Sequence, residues 1–237
     1  MNTESVFDQS QPRIVGNTFR LTIASSLAGL FILTTFVPLT PFIGGPAFIT
    51  LEIVMIPVIA WLLPPSLAVF TALVGSIGMF LAQTSFYNAF GLPGILIPVI
   101  ATVIGSVAFN YRLGPILAWT YVIIGLVYYI LFSQGGTMFW LIPYVIVIIS
   151  LPLALRNKDK LFTIGLIAFY TAMSEQVTMN ILSISLLHLV GPVWTIITPF
   201  MYSERTVATI GGTLLIVALK SRLGVRLGLD KMKHGGE

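Results

Sequence analysis

The sequence predicts an all-α fold: a polytopic bundle of six to eight transmembrane segments with both termini in the cytoplasm. Three observations lead there. Between Leu21 and Leu155 the only charged side chains are Glu52 and Arg112. The chain is 57% hydrophobic and 8% charged, with a mean hydropathy of +0.99, whereas a soluble domain is about 25% charged. Finally, Lys and Arg gather at the two ends and at two internal points, Arg112 and the group Arg156, Lys158 and Lys160. So few charges cannot cover a water-facing surface of this size, and insertion in a bilayer is the class that fits.

The segments follow from apolar runs and their breakers. The first runs from Asn17 to Val37 and stops at Pro38. The N-terminal stretch is too long and of too mixed a charge for a signal-peptide n-region, and no small-residue cleavage site follows, so this segment reads as a retained helix. A turn-rich outer loop, 38–46, holds Pro41, Gly44 and Gly45. The second segment covers 47–63 and is stopped by Pro64-Pro65, which remove backbone donors and push the preceding residue out of the helical region. The third covers 66–82. A polar and aromatic connection, 83–94, leads to the fourth segment, 95–109. Residues 110–114 turn the chain into the fifth, 115–132. Gln134-Gly135-Gly136 turn it again into the sixth, 138–155. The seventh is long, 161–190. A loop over 191–205, with Pro192, Trp194, Pro199 and Tyr202, precedes the eighth, 206–219.

About 20 residues span a bilayer core, and several of these segments are shorter. Eight crossings is the simple count; six with a membrane-buried pair is the alternative. The positive-inside rule tests the first. With the N-terminus inside, eleven of the twelve Lys and Arg fall on the cytoplasmic side, and Arg205, beside Glu204, falls outside. The whole chain, 1–237, reads as one integral membrane domain, with 1–17 as a cytoplasmic N-terminal tail and 220–237 as a basic cytoplasmic tail. That tail interleaves Leu223, Val225, Leu227 and Leu229 with basic residues, which suits either an interfacial segment on anionic lipid or a plain stop-transfer anchor. The basic balance therefore marks topology, not nucleic acid.

Chemistry has few places to stand. There is no Cys, so no disulfide, thiolate metal site or thiol nucleophile. Two separated His and no Cys speak against zinc. No Ser/His/Asp set, P-loop or dinucleotide fingerprint is present, and neither an enzyme nor a cofactor is expected. An ionisable residue at membrane depth is a functional candidate by default. Glu52 stands near the start of the second segment, where an interfacial or structural role competes with substrate contact. Glu175 lies near the middle of the seventh. Gln176, Asn180 and Ser183 follow i, i+4, i+7 spacing and share a helix face, with Glu175 flanking it and Thr178 nearby. Such a stripe avoids lipid; it faces either packed helices, as interhelical glue, or a polar cavity. His188, at the outer end, reads as a surface or packing residue or as a group titrating near neutral pH. Phe86-Tyr87-Asn88, and Trp194 with Phe200, Met201 and Tyr202, read as an interfacial aromatic belt or as a lid stacking on a planar ligand. In the first segment Ala24 and Ala28 are four apart, as are Ser25 and Gly29, a spacing that flattens a helix face for intramolecular packing or for a separate membrane subunit.

With these residues in view, the chain resembles the substrate-binding S-components of energy-coupling-factor transporters. The likeness rests on Ala24-x-x-x-Ala28 after an Arg-containing N-terminus, the loop Pro41-Phe-Ile-Gly-Gly-Pro46, the run Leu51-Glu-Ile-Val-Met-Ile-Pro57 and the Pro-rich turn into Ala72-Leu-Val-Gly-Ser-Ile-Gly78. The stripe of the seventh segment, an outer aromatic loop and a basic final helix add to it. It is best over 18–83. The resemblance implies a subunit that binds a vitamin or similar micronutrient from outside and closes its outer loops over it. It implies Ala24 and Ala28 at the interface with a transmembrane coupling protein driven by two ATPases. It implies a ligand near the outer loops and late helices, close to Glu175, Asn180 and Trp194; with the residue reading above, the expected substrate contacts are Glu175, Gln176, Asn180, Trp194, Tyr202 and Glu52. Six helices are usual in that family, and eight segments depart from it. Two rivals remain: a stand-alone proton-coupled carrier with Glu175 as relay, which the lack of an internal repeat weakens, and an accessory subunit of a larger membrane complex.

Overall fold

The computed structural model describes residues 17–43, 47–82, 89–135, 137–156 and 160–227. The expectations placed on the N-terminal tail, on Gly44 to Pro46, on Phe86-Tyr87-Asn88, on Lys158 and on the end of the basic tail lie outside the described residues.

The chain is a helical bundle, with eight α-helices among the described residues. Helix α1 is Asn17–Thr34, α2 Met55–Leu62, α3 Pro65–Ala82, α4 Leu96–Asn110, α5 Gly114–Phe132, α6 Ile142–Ala154, α7 Leu161–Leu187 and α8 Val193–Leu227. Short 3-10 turns, Leu51–Val54, Leu92–Ile95 and Met138–Leu141, lead into α2, α4 and α6. Among the described residues three helices are long and apolar enough to cross a membrane: Pro65–Ala82, Leu92–Asn110 and Gly114–Phe132. Their outward faces carry exposed Phe70, Ile77, Leu81, Ile124 and Leu131, the inverse of a water-soluble surface.

Two expectations about elements are corrected. The outer loop and the start of the second segment are not a loop and a helix. They form an antiparallel hairpin, β1 Pro38–Phe42 with β2 Ala47–Thr50, pairing Phe42 with Ala47 and Thr40 with Ile49. Alternating and β-branched residues such as Ile49 and Thr50 suit a strand, and Pro38 and Pro41 disfavour helix. The helix that follows is correspondingly short. Second, 191–205 is not a loop. Helix α8 starts at Val193 and runs unbroken for 35 residues, with Pro199 inside it. A proline in a helix interior is normally costly, but within a bundle neighbouring groups satisfy the freed carbonyl and the helix continues.

The bundle is organised around α7, which packs against α4, α5, α6 and α8. Close approach is made by glycines on its neighbours. A Cβ on Gly105 of α4 would stand 2.5 Å from Thr171, and one on Gly125 of α5 would stand 2.3 Å from Val177. Hydroxyls then tie the helices together: Tyr121 to Thr178 at 2.9 Å, Tyr128 to Ser185 at 2.7 Å, and Tyr170 to the Val147 carbonyl at 2.9 Å. Such bonds are the usual glue where lipid supplies no hydrophobic drive between helices. Helix α2 is almost wholly buried, wedged against α4 and α8, with Ile56, Ile59 and Ala60 fully enclosed. Helix α7 ends where His188 adopts φ 51° and the Leu189 N–H returns to the Ser183 carbonyl at 3.1 Å, the left-handed cap that closes orphan carbonyls. The Gly191 N–H donates to the Ser133 carbonyl at 2.7 Å and ties this corner to the turn after α5.

Glycine positions separate packed from open faces. Gly125→Val should lower the stability of the detergent-solubilised protein by about 1–3 kcal/mol, the usual penalty of overpacking. Gly29→Ala, with nothing within 4 Å of the added carbon, should leave thermal unfolding unchanged.

Candidate ligand cavity and buried ion cluster

Glu175 is not stranded. It is 5% exposed, and its Oε2 accepts from Arg205 Nη1 at 2.7 Å. The same Nη1 donates to the Ala172 carbonyl at 2.7 Å, while Nη2 reaches Glu204 Oε2 at 3.4 Å. The expected position of Arg205 in an outer loop is therefore wrong. Arg205 is 2% exposed and lies deep in the bundle, because α8 begins twelve residues before it and carries it inward on the face towards α7. The hairpin completes the group. The Thr40 hydroxyl of β1 donates to Glu204 Oε1, and the Thr50 hydroxyl of β2 donates to Glu52 Oε2. Glu52, 6% exposed, is likewise buried within the protein, within electrostatic reach of Glu175, Arg205 and Glu204. Three carboxylates thus share one guanidinium in an apolar interior.

The polar stripe of α7 has a separate job. Gln176, Asn180 and Ser183, all buried, line a cavity of about 30 Å³ beneath the hairpin. Its other walls include Phe42 and Ile49 of the hairpin, Trp140, and Trp194, Phe200 and Glu204 of α8. Trp140 and Trp194 meet edge to face with centroids 5.0 Å apart, and Tyr129 stacks on Trp140 at 5.8 Å, geometries that suit the aromatic quadrupole. Asn180 stands 2.7 Å from both the Gln176 amide and the Tyr144 hydroxyl. The amide relay can run in either direction. In one, Gln176 donates to Asn180, which donates to Tyr144. In the other, the Asn180 oxygen accepts from Tyr144 at 2.7 Å and from Trp140 Nε1 at 3.2 Å. Either way one end of the Gln176 amide has no partner, and Trp194 Nε1 has none either. Buried polar groups left unpaired are uncommon and call for an explanation.

Of the predicted substrate contacts, the structure brings Gln176, Asn180 and Trp194 to this cavity. Glu175 and Glu52 do not line it; they belong to the ion cluster behind it. Tyr202 lies elsewhere. It lines a larger apolar groove of about 240 Å³ between α6, α7 and α8, with Phe169, Arg205 and Thr209, and its hydroxyl donates to the Phe139 carbonyl. Helix rotation separates it from Met201 and Glu204, its neighbours on α8. Ala24 and Ala28 are turned inward, 4% and 5% exposed, on a helix that packs against α3. That face is used within the chain and is not open to a second protein; Ser25, Ser26 and Gly29 are the small residues that face out. Sequence reasoning missed Glu204, Arg205, Trp140 and Tyr144. The signal for the first two was an adjacent acid and base inside what is otherwise one apolar helical run from Val193. Among the described residues no group of three or more His, Asp or Glu stands ready for a metal ion.

Comparison with protein-family models, with curated proteins and with solved structures finds no match.

Removing one partner from a buried ion group leaves an uncompensated charge, at about 3–5 kcal/mol. Arg205→Met should therefore destabilise strongly in detergent unfolding. Adding Glu175→Leu and Glu204→Leu to Arg205→Met should recover much of the loss, because the orphaned carboxylates are removed with their partner.

Proposed function

We propose that this chain is a membrane-embedded substrate-binding subunit of a micronutrient importer of the energy-coupling-factor kind, energised by separate coupling and ATPase subunits. The observation that carries the reading is the cavity under the hairpin. It is enclosed by aromatic rings, contains convergent polar groups without partners, and sits next to no catalytic set among the described residues. Apolar walls with a few placed polar groups are what small-molecule sites look like. The residues walling it come from the hairpin, from α7 and from the N-terminal half of α8, so the hairpin serves as a lid over the ligand.

In this reading the protein is a multi-pass protein of the cell membrane with both termini in the cytoplasm. Arg20, Arg112, Arg156, Lys160, Lys220 and Arg222 then all stand at inner helix ends, in keeping with the positive-inside bias. Arg205 leaves the count of loop charges altogether, which removes the exception to that bias. The hairpin, the turn after α5 and the corner between α7 and α8 face outward. A coupling protein docks on the outward face of α1, where Ser25 and Gly29 let another helix approach closely. A second reading, a stand-alone proton-coupled carrier, draws on the excess of buried carboxylates over cations.

Purification of the complex from its native membrane, with mass spectrometry of both proteins and small molecules, should recover a membrane partner, two ATPase subunits and a bound metabolite. Recovery of the chain alone and empty would sink the importer reading, and ligand uptake by proteoliposomes holding only this chain would establish the carrier. Gly29→Leu should abolish partner-dependent uptake by at least tenfold while leaving ligand binding intact. The chain has no native Cys, so topology is open to single-cysteine labelling. Val190→Cys should react with an impermeant reagent from outside intact cells, and Leu113→Cys only after permeabilisation.

A further inference from the structure

The cavity and the ion cluster meet at one residue. Glu204 lines the cavity and also belongs to the cluster. Arg205 is the only buried cation among the described residues, against the three buried carboxylates of Glu52, Glu175 and Glu204. It spends its short contact, 2.7 Å, on Glu175 and approaches Glu204 only to 3.4 Å. Glu204 also accepts from the Thr40 hydroxyl, but it has the weaker share of the guanidinium charge, and it is the carboxylate of the two that is turned to the cavity. An isolated charge in an apolar interior is disfavoured by several kcal/mol unless a counter-charge or hydrogen bonds answer it.

The rest of the cavity wall has matching chemistry. The relay direction in which Gln176 donates to Asn180, and Asn180 to Tyr144, leaves the Gln176 Oε1 as a buried acceptor without a partner, and it sets the Asn180 amide nitrogen 3.2 Å from the Trp140 N–H, a contact that the reverse direction turns into a hydrogen bond. An N–H donor in the cavity would select that direction. The rings of Trp140, Trp194 and Phe200 wall the same space, and aromatic faces attract cations. The size is narrow as well. About 30 Å³ is a small space that suits a head group such as a charged nitrogen, since a single water needs about 10–15 Å³.

We propose that the cavity seats the ammonium group of an amine-bearing ligand, held by Glu204 and the Gln176 oxygen among the Trp140, Trp194 and Phe200 rings. The proposal rests on the binding-subunit reading and names its ligand class. The remainder of the ligand passes outward beneath the hairpin, past Phe42. An anionic head group is rejected by Glu204, and a neutral apolar one leaves the Gln176 amide end unpaired and brings no charge to answer Glu204, which is how a site discriminates between ligands of equal shape.

The test uses three probes of one size: benzylammonium, benzyl alcohol and benzoate. Each is titrated at neutral pH into the full-length protein in lipid nanodiscs while tryptophan fluorescence is read. Benzylammonium should give a saturable change at least tenfold tighter than benzyl alcohol, and benzoate none. Glu204→Gln should weaken benzylammonium at least tenfold and abolish its preference over benzyl alcohol, and Glu204→Asp should retain a preference for the cation. Benzyl alcohol or benzoate binding as tightly as benzylammonium would overturn the ammonium assignment while leaving a ligand-binding role in place. Recovery of a co-purified metabolite without an amine would do the same. No response to any probe, together with no small molecule released on denaturation, would overturn both the assignment and the binding-subunit reading. The probe series on the unaltered protein stands even if the Glu204 variants fail to fold.

Discussion

The arrangement of this bundle hangs on one dehydrated contact, the 2.7 Å ion pair between Arg205 and Glu175. Both partners are almost wholly buried, so each is tolerable only in the presence of the other. That requirement sets the register and rotation of α8 against α7 at their point of contact. With α8 so placed, Glu204, one residue earlier, turns towards the hairpin, and Trp194 and Phe200 turn towards the cavity. The extra bond from Arg205 to the Ala172 carbonyl fixes the guanidinium on the backbone of α7 as well as on a side chain. A side-chain contact alone would leave more freedom of rotation.

The hairpin depends on the same cluster. Here Thr40 reaches Glu204, and Thr50 reaches Glu52, so each strand is anchored by a hydroxyl to a buried carboxylate. The hairpin occupies the space above the short helix α2, where a longer helix would otherwise fill the bundle. The hairpin packs over the polar stripe of α7, where Phe42 and Ile49 wall the cavity opposite Gln176, Asn180 and Ser183.

Two polar systems run side by side on α7 and do different work. Thr171, Ser174 and Thr178 return their hydroxyls to carbonyls four residues back, and Thr178 also meets Tyr121, so these residues are satisfied within the bundle. Gln176 and Asn180 form a relay with a free end. The difference is that the second set keeps a buried amide end without a partner. Glu175, which stands out in the sequence, belongs to neither; it is the anchor of α8.

Local composition and periodicity determined a good part of this protein. The lack of charge from Leu21 to Leu155 called for an apolar surround. Proline and glycine placed most helix ends, and α3, α4 and α5 fall within a residue or so of where those breakers put them. The shared face of Gln176, Asn180 and Ser183 was legible because it depends only on 3.6-residue periodicity. What the tertiary structure decided are matters of partnership across long stretches of chain. Arg205 lies thirty residues from Glu175, and Thr40 lies 164 from Glu204, so no local pattern announces either pair. Pro199 looked like a breaker because in water it would be one; in a bundle it is carried through. The side on which Tyr202 falls, away from the cavity, depends on the rotation of α8, and that rotation is set by the buried ion pair.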